Sequence, residues 1–373
     1  MIGQSLRESM RARLPGALCL LLLCATLVAG LLPFRRPLNG ITWLENENGI
    51  HLTDRGTLWS SGSFQTTGQQ DLGSRSLDLW LEPTRSRSAS SIFSFSTPEN
   101  PLQLAAYQYH SVFILKREIR GAEPRIVTIG IEGTLRQRKP VFITVTSGPQ
   151  QTAMYVNGTL SRTFPQVRLG KYFTGQLVFG TSPVMDEGWP GDLRGLAVYG
   201  QELTAAQVLT HYETWTTQGR PELSGDERVI ALYLFSEHAG NVVHNAASGG
   251  IDLYVPERYS LVHQRFLQPF WDEYNPSWDY WRDIAINIAG LIPLGFVFCA
   301  YWSSVRSIKR AVLITTLLGL AVSLTIEVLQ SYLPTRDSGT TDLFTNTLGT
   351  FLGARLYGLS VVRDLFARFY RAR

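Results

Sequence analysis

The sequence predicts a membrane α-helical bundle of four transmembrane helices joined to an all-β sandwich, and three observations predict it. Apolar runs lie towards the two ends of the 373-residue chain, over residues 15–34, 281–301, 311–333 and 343–360. Each is about long enough to cross a hydrocarbon core of roughly 30 Å. Between them, short runs alternate apolar with polar residues and are broken by Gly, Pro, Asn and Ser, the pattern of antiparallel strands with one buried face. The net charge of +4 gathers in clusters beside the apolar runs, so it reads as membrane topology and not as nucleic-acid binding.

In chain order, residues 1–14 form a basic, cytoplasmic N-terminus carrying Arg7, Arg11 and Arg13. Run 15–34 is followed by Arg35 and Arg36 and reads as an uncleaved signal anchor. The small residues from Ala25 to Gly30 keep a cleaved signal peptide as the alternative. Run 281–301 leads through the basic turn Val305 to Arg310 into run 311–333, and after run 343–360 the tail 361–373 is basic again. With both ends inside, every basic cluster falls on one side, and residues 38–262 fall outside together with the loop Pro334 to Asp342. Cys19, Cys24 and Cys299 all lie in apolar runs, so the middle has no disulfide framework, and no Cys/His spacing suits a metal.

Polar residues sit where bilayer is expected. Asp283 and Asn287 open the second run, Glu327 and Gln330 close the third at i,i+3, and Asp342 and Asn346 open the fourth at i,i+4, with Arg336 in the hairpin between. The predicted topology places all seven at the outer end of the bundle. An ionisable group at that depth is a functional-site hypothesis, and a hydrogen-bonded staple between helices is its alternative. Gly349 and Gly353 mark close helix packing, and Pro293 with Gly295 a kink. The run IEVLQSYLPTRDSGTTDLFTNTLGTFLG, with DIAINIAGLIPLGF upstream, resembles the VanZ-like family of membrane proteins over residues 275–360. That resemblance implies a multi-pass protein of the bacterial inner membrane and cell envelope. One branch of the family is associated with tolerance to the glycopeptide antibiotic teicoplanin, and the resemblance supplies no reaction.

Residues 38–262 read as β through runs such as SLDLWLEP, SSIFSFST, HSVFILKRE, PRIVTIGIEG, PVFITVTSG, TAMYVNG, GQLVFGTS and GDLRGLAVYG. Asn157-Gly158 predicts a two-residue hairpin, and Thr204 to Thr214 a short helix capped by Thr204. PVFITVTSGPQQTAMYVNGTL, followed by WPGDLRGLAVYGQELTAAQV, is similar to the laminin-G-like, concanavalin A-like jelly roll. Gly191, Asp192, Tyr199 and Leu203 to Val208 follow that family's order. Ala231 to Pro256 resembles the strand that opens such domains but comes last here, which implies a permuted register.

Relatives of that jelly roll hydrolyse glucans or bind glycans or calcium. No E-x-D-x-x-E strand motif occurs here, and Asp78, Glu82, Asp186, Glu187 and Asp192 are scattered. The expectation is no cofactor, with calcium in the outer domain as the alternative. His51, His110, His211, His238, His244 and His263 are dispersed and read as structural. From Gln264 onward there is no His, so a Ser-His or Cys-His nucleophile is excluded from the helical part. The sequence therefore favours a binding protein over an enzyme, with membrane lipid and a glycan or envelope protein as partners. A membrane enzyme using its buried carboxylates on a lipid-linked substrate, and a non-catalytic assembly factor, are the alternatives.

Overall fold

The computed structural model describes residues 2–32, 36–65, 73–85, 89–119, 125–136, 139–180, 188–247, 249–260, 266–274, 276–333, 336 and 338–371, without the side chains of residues 2–14 and 366–371. The chain divides into two compact units, Met1–Arg36 with Gln264–Arg373, and Pro37–His263.

Helix α1 (Ile2–Leu31) opens the first unit and runs unbroken through Pro15, so helix begins well before the apolar run expected over 15–34. The chain then passes into the second unit. Its strands are β1 (Ile41–Trp43), β2 (Ile50–Leu52), β3 (Leu58–Phe64), β4 (Arg75–Pro83), β5 (Ala89–Ser96), β6 (Leu104–Tyr109), β7 (Val112–Ile119), β8 (Arg125–Ile131), β9 (Val141–Ser147), β10 (Gln151–Val156), β11 (Thr159–Pro165), β12 (Gly175–Phe179) and β13 (Gly191–Tyr199). After helix α2 (Ala205–Gln218) come β14 (Val229–Tyr233), β15 (Val242–Val243) and β16 (Leu253–Tyr254).

These strands form two antiparallel sheets. One runs β1-β2-β13-β4-β9-β10-β11 with β14 also on β13, and the other runs β15-β16-β3-β12-β5-β6-β7-β8. Alternation explains the layering, because Leu77, Leu79 and Leu81 of β4 and Phe93 and Phe95 of β5 face one shared core. The far face of the first sheet is covered by α2, whose Val208 and Trp215 pack with Phe142, Ala197 and Tyr199. Thr204 closes a capping box with Gln207, and α2 continues four residues beyond the expected Thr214 before Gly219 ends it in the left-handed region. The β10–β11 hairpin turns at Asn157 and Gly158, whose φ of 49° and 76° fit the two-residue turn the sequence announces. The residues Ala231–Tyr233 of the run ALYLF belong to β14, which pairs with β13. The two ends of this unit lie side by side, since Leu38 bridges Arg258 and the Tyr259 N–H donates to the Pro37 carbonyl at 3.0 Å.

The first unit resumes with α3 (Phe270–Glu273), α4 (Trp278–Ser303), α5 (Ile308–Gln330), α6 (Thr340–Gly358) and α7 (Ser360–Arg371), so the tail is helical. Among the described residues, α4 and α5 are long and apolar enough to cross a membrane, and the apolar part of α1, Pro15–Leu31, is shorter. At 1.5 Å per residue the 26 residues of α4 extend about 39 Å. Pro293 lies within α4, which continues past it as helix. Many apolar side chains of the unit face outward while several polar ones are buried. Leu313, Leu317, Leu320 and Leu324 of α5 and Phe344, Leu348 and Leu352 of α6 are exposed, while Thr315, Ser323, Glu327, Asn346 and Thr350 are buried. Exposed Trp271, Trp278 and Trp281 mark one end of α4 and Tyr301 the other, as aromatic side chains do at the two faces of a bilayer.

Candidate functional site

Three helix ends and one loop converge in the helical unit. The first turns of α4 carry Asp283 and Asn287, the last turn of α5 carries Glu327 and Gln330, the first turns of α6 carry Asp342 and Asn346, and Arg336 stands in the connecting loop. All seven line one cavity of about 420 Å3, together with Thr26, Ala29 and Gly30 of α1 and with Ile286, Gly290, Leu291 and Ile326. Asp283 is exposed, Asn287, Arg336 and Asp342 are half-buried, and Glu327, Gln330 and Asn346 are buried. The cavity therefore has a charged mouth and a polar floor.

Its members are held by specific hydrogen bonds. The Asn287 Nδ2 donates to Asp342 Oδ1 at 2.7 Å, tying α4 to α6. The Asn346 Nδ2 donates to the Ser323 hydroxyl at 3.1 Å, tying α6 to α5. The Gln330 Nε2 donates to the Gly30 carbonyl at 2.8 Å, and the Arg336 Nε to the Leu32 carbonyl at 3.0 Å, so two of the seven hold α1. Asp283 meets Arg282 at 3.5 Å at the exposed mouth.

The amino end of α6 explains why carboxylates gather here. The first N–H groups of a helix have no partner within it and carry the positive end of its dipole. The Gly339 N–H donates to Glu327 Oε2 at 2.8 Å, the Thr340 N–H to the Gln268 carbonyl at 2.9 Å and the Thr341 N–H to Glu273 Oε2 at 2.9 Å. The Thr341 hydroxyl donates to the same Glu273 oxygen. The second oxygen of Glu327, Oε1, is buried and makes no hydrogen bond among the described residues. One carboxylate of the cavity lining thus caps a helix with one oxygen and leaves the other buried without a partner among the described residues. Glu273, Ser323 and the α1 residues carry no sequence signal for this role. Glu273 sits in an aromatic-rich run where a carboxylate has no contrast with its surroundings, and Gly30 and Leu32 take part through backbone carbonyls.

Close packing brings these helices together. A Cβ on Gly353 would stand 2.0 Å from the Ile292 carbonyl oxygen and one on Gly349 would stand 2.3 Å from that of Ile288, so α6 lies directly on the α4 backbone. Cys299 is buried against Ala311, Ala354 and Tyr357, apart from the cavity lining.

In the β unit the acidic residues weighed for calcium have other partners. Asp78 is fully buried and accepts from Thr144, Tyr199 and His211, Glu82 accepts from Arg194 at 2.7 Å, and Asp192 lies 2.6 Å from His51. Asp186 and Glu187, like His263, lie outside the described residues. Among the described residues no group of three or more His, Cys, Asp or Glu is placed to hold a metal ion. His211 lies between two carboxylates, its Nδ1 at 2.8 Å from Asp78 and its Nε2 at 3.0 Å from Glu227, with its ring stacked on Tyr199. Burial lowers the proton affinity of this imidazole, but the hydrogen bond and charge of Asp78, joined by Glu227, outweigh it and raise the pKa above the ordinary value.

A family model described as VanZ/LLP1 matches residues 229–361, and one described as the concanavalin A-like lectin/glucanases superfamily matches residues 56–209. Protein VanZ of Enterococcus faecium is 32% identical over 100 residues, which are 26% of this chain and 56% of that protein. The chain thus spans little more than half the length of this curated relative. Among solved structures, the binding domain of botulinum neurotoxin DC in complex with rat synaptotagmin II is 13% identical with a TM-score of 0.36, covering 48% of this chain and 46% of that one. The SAP-like pentraxin of Limulus polyphemus is 16% identical with a TM-score of 0.34, over 60% of this chain and 96% of that one. The Ruminococcus gnavus sialidase module bound to sialyllactose is 13% identical with a TM-score of 0.34, over 44% and 95%. Family models for VanZ/LLP1 and for the concanavalin A-like lectin/glucanases superfamily thus match two successive stretches of the chain.

Proposed function

We propose that the protein is an envelope membrane protein whose helical unit holds a polar lipid headgroup in this cavity, while its β unit binds a glycan or a protein outside the membrane. The observation that carries the reading is the cavity, which gathers seven polar side chains in a unit many of whose outward side chains are apolar. A staple between helices requires hydrogen-bond partners and no space, whereas this lining encloses about 420 Å3, within the range of roughly 300 to 1,000 Å3 usual for small-molecule sites. In this reading α1, α4, α5 and α6 all span, with the basic turn Val305 to Arg310 in the cytoplasm. The cavity then opens at the outer face, because it lies at the ends of α4, α5 and α6 away from that turn. The match of residues 56–209 to a lectin/glucanases superfamily model supports a glycan partner.

Filling the space tests the headgroup reading. A Cβ on Gly290 meets no atom within 4 Å, so Gly290→Leu enters the cavity without disturbing backbone packing. Lipid retained by the purified full chain, read as phosphorus per protein, is expected to fall while the melting temperature holds. Undiminished lipid in that variant would remove the cavity as a binding site. Sedimentation of the full chain with isolated cell-wall sacculi tests the glycan half, and failure to co-sediment would refute it.

A further inference from the structure

The cavity is acidic. Its lining holds Asp283, Glu327 and Asp342, with Glu273 close enough to act electrostatically on Asp342, against Arg336 as the cation of the lining among the described residues. Arg282 offsets Asp283 at the mouth at 3.5 Å, but Glu327 and Asp342 lie deeper. Asp342 Oδ1 accepts from Asn287, and Glu327 Oε2 accepts from Gly339, whereas Oε1 of Glu327, a lining residue, is buried and makes no hydrogen bond among the described residues. A buried carboxylate oxygen calls for a donor. A purely anionic ligand supplies none.

We infer that the cavity takes a primary ammonium group borne on a phosphorylated headgroup, the ammonium donating to Glu327 Oε1 and reaching Asp342, and the phosphate turned towards Arg336. This rests on the reading of the cavity as a headgroup site and narrows it to one class of headgroup. Two features select that class. An ammonium has three donors, matching buried carboxylates that need donors. The charge of Arg336 at half-buried depth places the anionic part of the ligand nearer the mouth than the ammonium. A quaternary ammonium satisfies the charge but donates no hydrogen bond, so it fits less well.

The test uses the full chain in nanodiscs made from equal parts of phosphatidylethanolamine, phosphatidylglycerol and phosphatidylcholine, with the co-purifying lipid read by native mass spectrometry. Phosphatidylethanolamine is expected to be retained about tenfold over each of the others, the scale of one hydrogen bond to a charged group. Glu327→Gln and Asp342→Asn are each expected to remove that preference without lowering total lipid to zero. Soluble O-phosphoethanolamine tells a headgroup on a lipid from one free in solution. Displacement of the lipid by it shows that the headgroup alone suffices, and failure to displace shows that acyl chains are required; each result supports the ammonium site and names its source. Equal or preferential retention of phosphatidylglycerol overturns the inference while leaving the headgroup reading intact. Retention of no lipid, by the wild type as well as the variants, overturns that reading and this one together. Should either variant fail to fold, the wild-type preference among the three lipids decides alone.

Discussion

Asp78, Tyr199, His211 and Glu227 form a buried chain in which both imidazole nitrogens face carboxylate oxygens. Two flanking acceptors favour the imidazolium, which donates from both nitrogens. The folded pKa of His211 is raised above the value of 6.5 expected for the unfolded chain, so the stabilisation is complete below that value. It is lost as pH rises through the higher folded value. The melting temperature of the β unit is therefore expected to decline from about pH 6.5 upward, and His211→Asn should lower stability and flatten that slope. Tryptophan fluorescence melts of the two proteins across that range measure it, and an unchanged slope in the variant would refute the assignment. In the sequence Asp78 looked available for calcium and His211 looked structural. What hid their pairing is distance along the chain, 133 residues, since a β4 carboxylate and an α2 imidazole meet only once α2 packs on the sheet that holds β4. The seven cavity residues were legible for the opposite reason. A carboxylate or amide inside an apolar run stands out against its neighbours, whereas Glu273 in the run FWDEY does not.

Among the elements, the glycines of α6 show how packing is written in the sequence. Gly353 meets the α4 backbone, while Gly358 at the end of the same helix would place a Cβ in open space. Alanine is the better helix former by up to about 1 kcal/mol, so propensity alone predicts that both substitutions help. At Gly353 the added methyl would stand 2.0 Å from the Ile292 oxygen, and such overpacking costs about 1 to 3 kcal/mol. Gly353→Ala is thus expected to lower the melting temperature in detergent and Gly358→Ala to leave it unchanged or slightly raised. Equal behaviour of the two would mean that α4 and α6 do not pack through this seam. The long strands β4, β5, β7, β9 and β13 were legible because each runs for seven to nine residues rich in apolar side chains, β7 with one face buried and the others buried on both faces over most of their length. The short strands β1, β2, β15 and β16 were not, because two or three residues carry no period and their pairing is decided by the sheet they join. The start of α1 at Ile2 was missed because basic residues end an apolar run without ending a helix.

At the scale of the whole molecule, the order of segments is that of an insertion: α1 precedes the β unit in the chain but belongs with α4, α5 and α6. Topology follows if every basic cluster stays inside. Reporter fusions after Arg265 and Ser338 are expected to report outside and those after Ser307 and Arg373 inside, and an inside signal at Ser338 would place the cavity in the other leaflet. The insertion makes a sharper prediction about independence. Its core residues, its sheet pairings and its α2 contacts all fall within residues 37–263. Its entry and exit strands bridge at Leu38 and Arg258, and antiparallel bridge partners have Cα atoms about 5 Å apart. A fold with adjacent ends and its own core tolerates separation from its host. Residues 37–263 alone are therefore expected to give a soluble, β-rich domain that unfolds cooperatively in urea without reducing-agent dependence. Conversely, replacing residues 39–257 by two glycines, which span that gap, should leave a helical unit that still inserts, stays monodisperse in detergent and retains lipid. Aggregation of the excised chain, together with a disordered far-ultraviolet spectrum of the isolated domain, would show that the two units fold only as one.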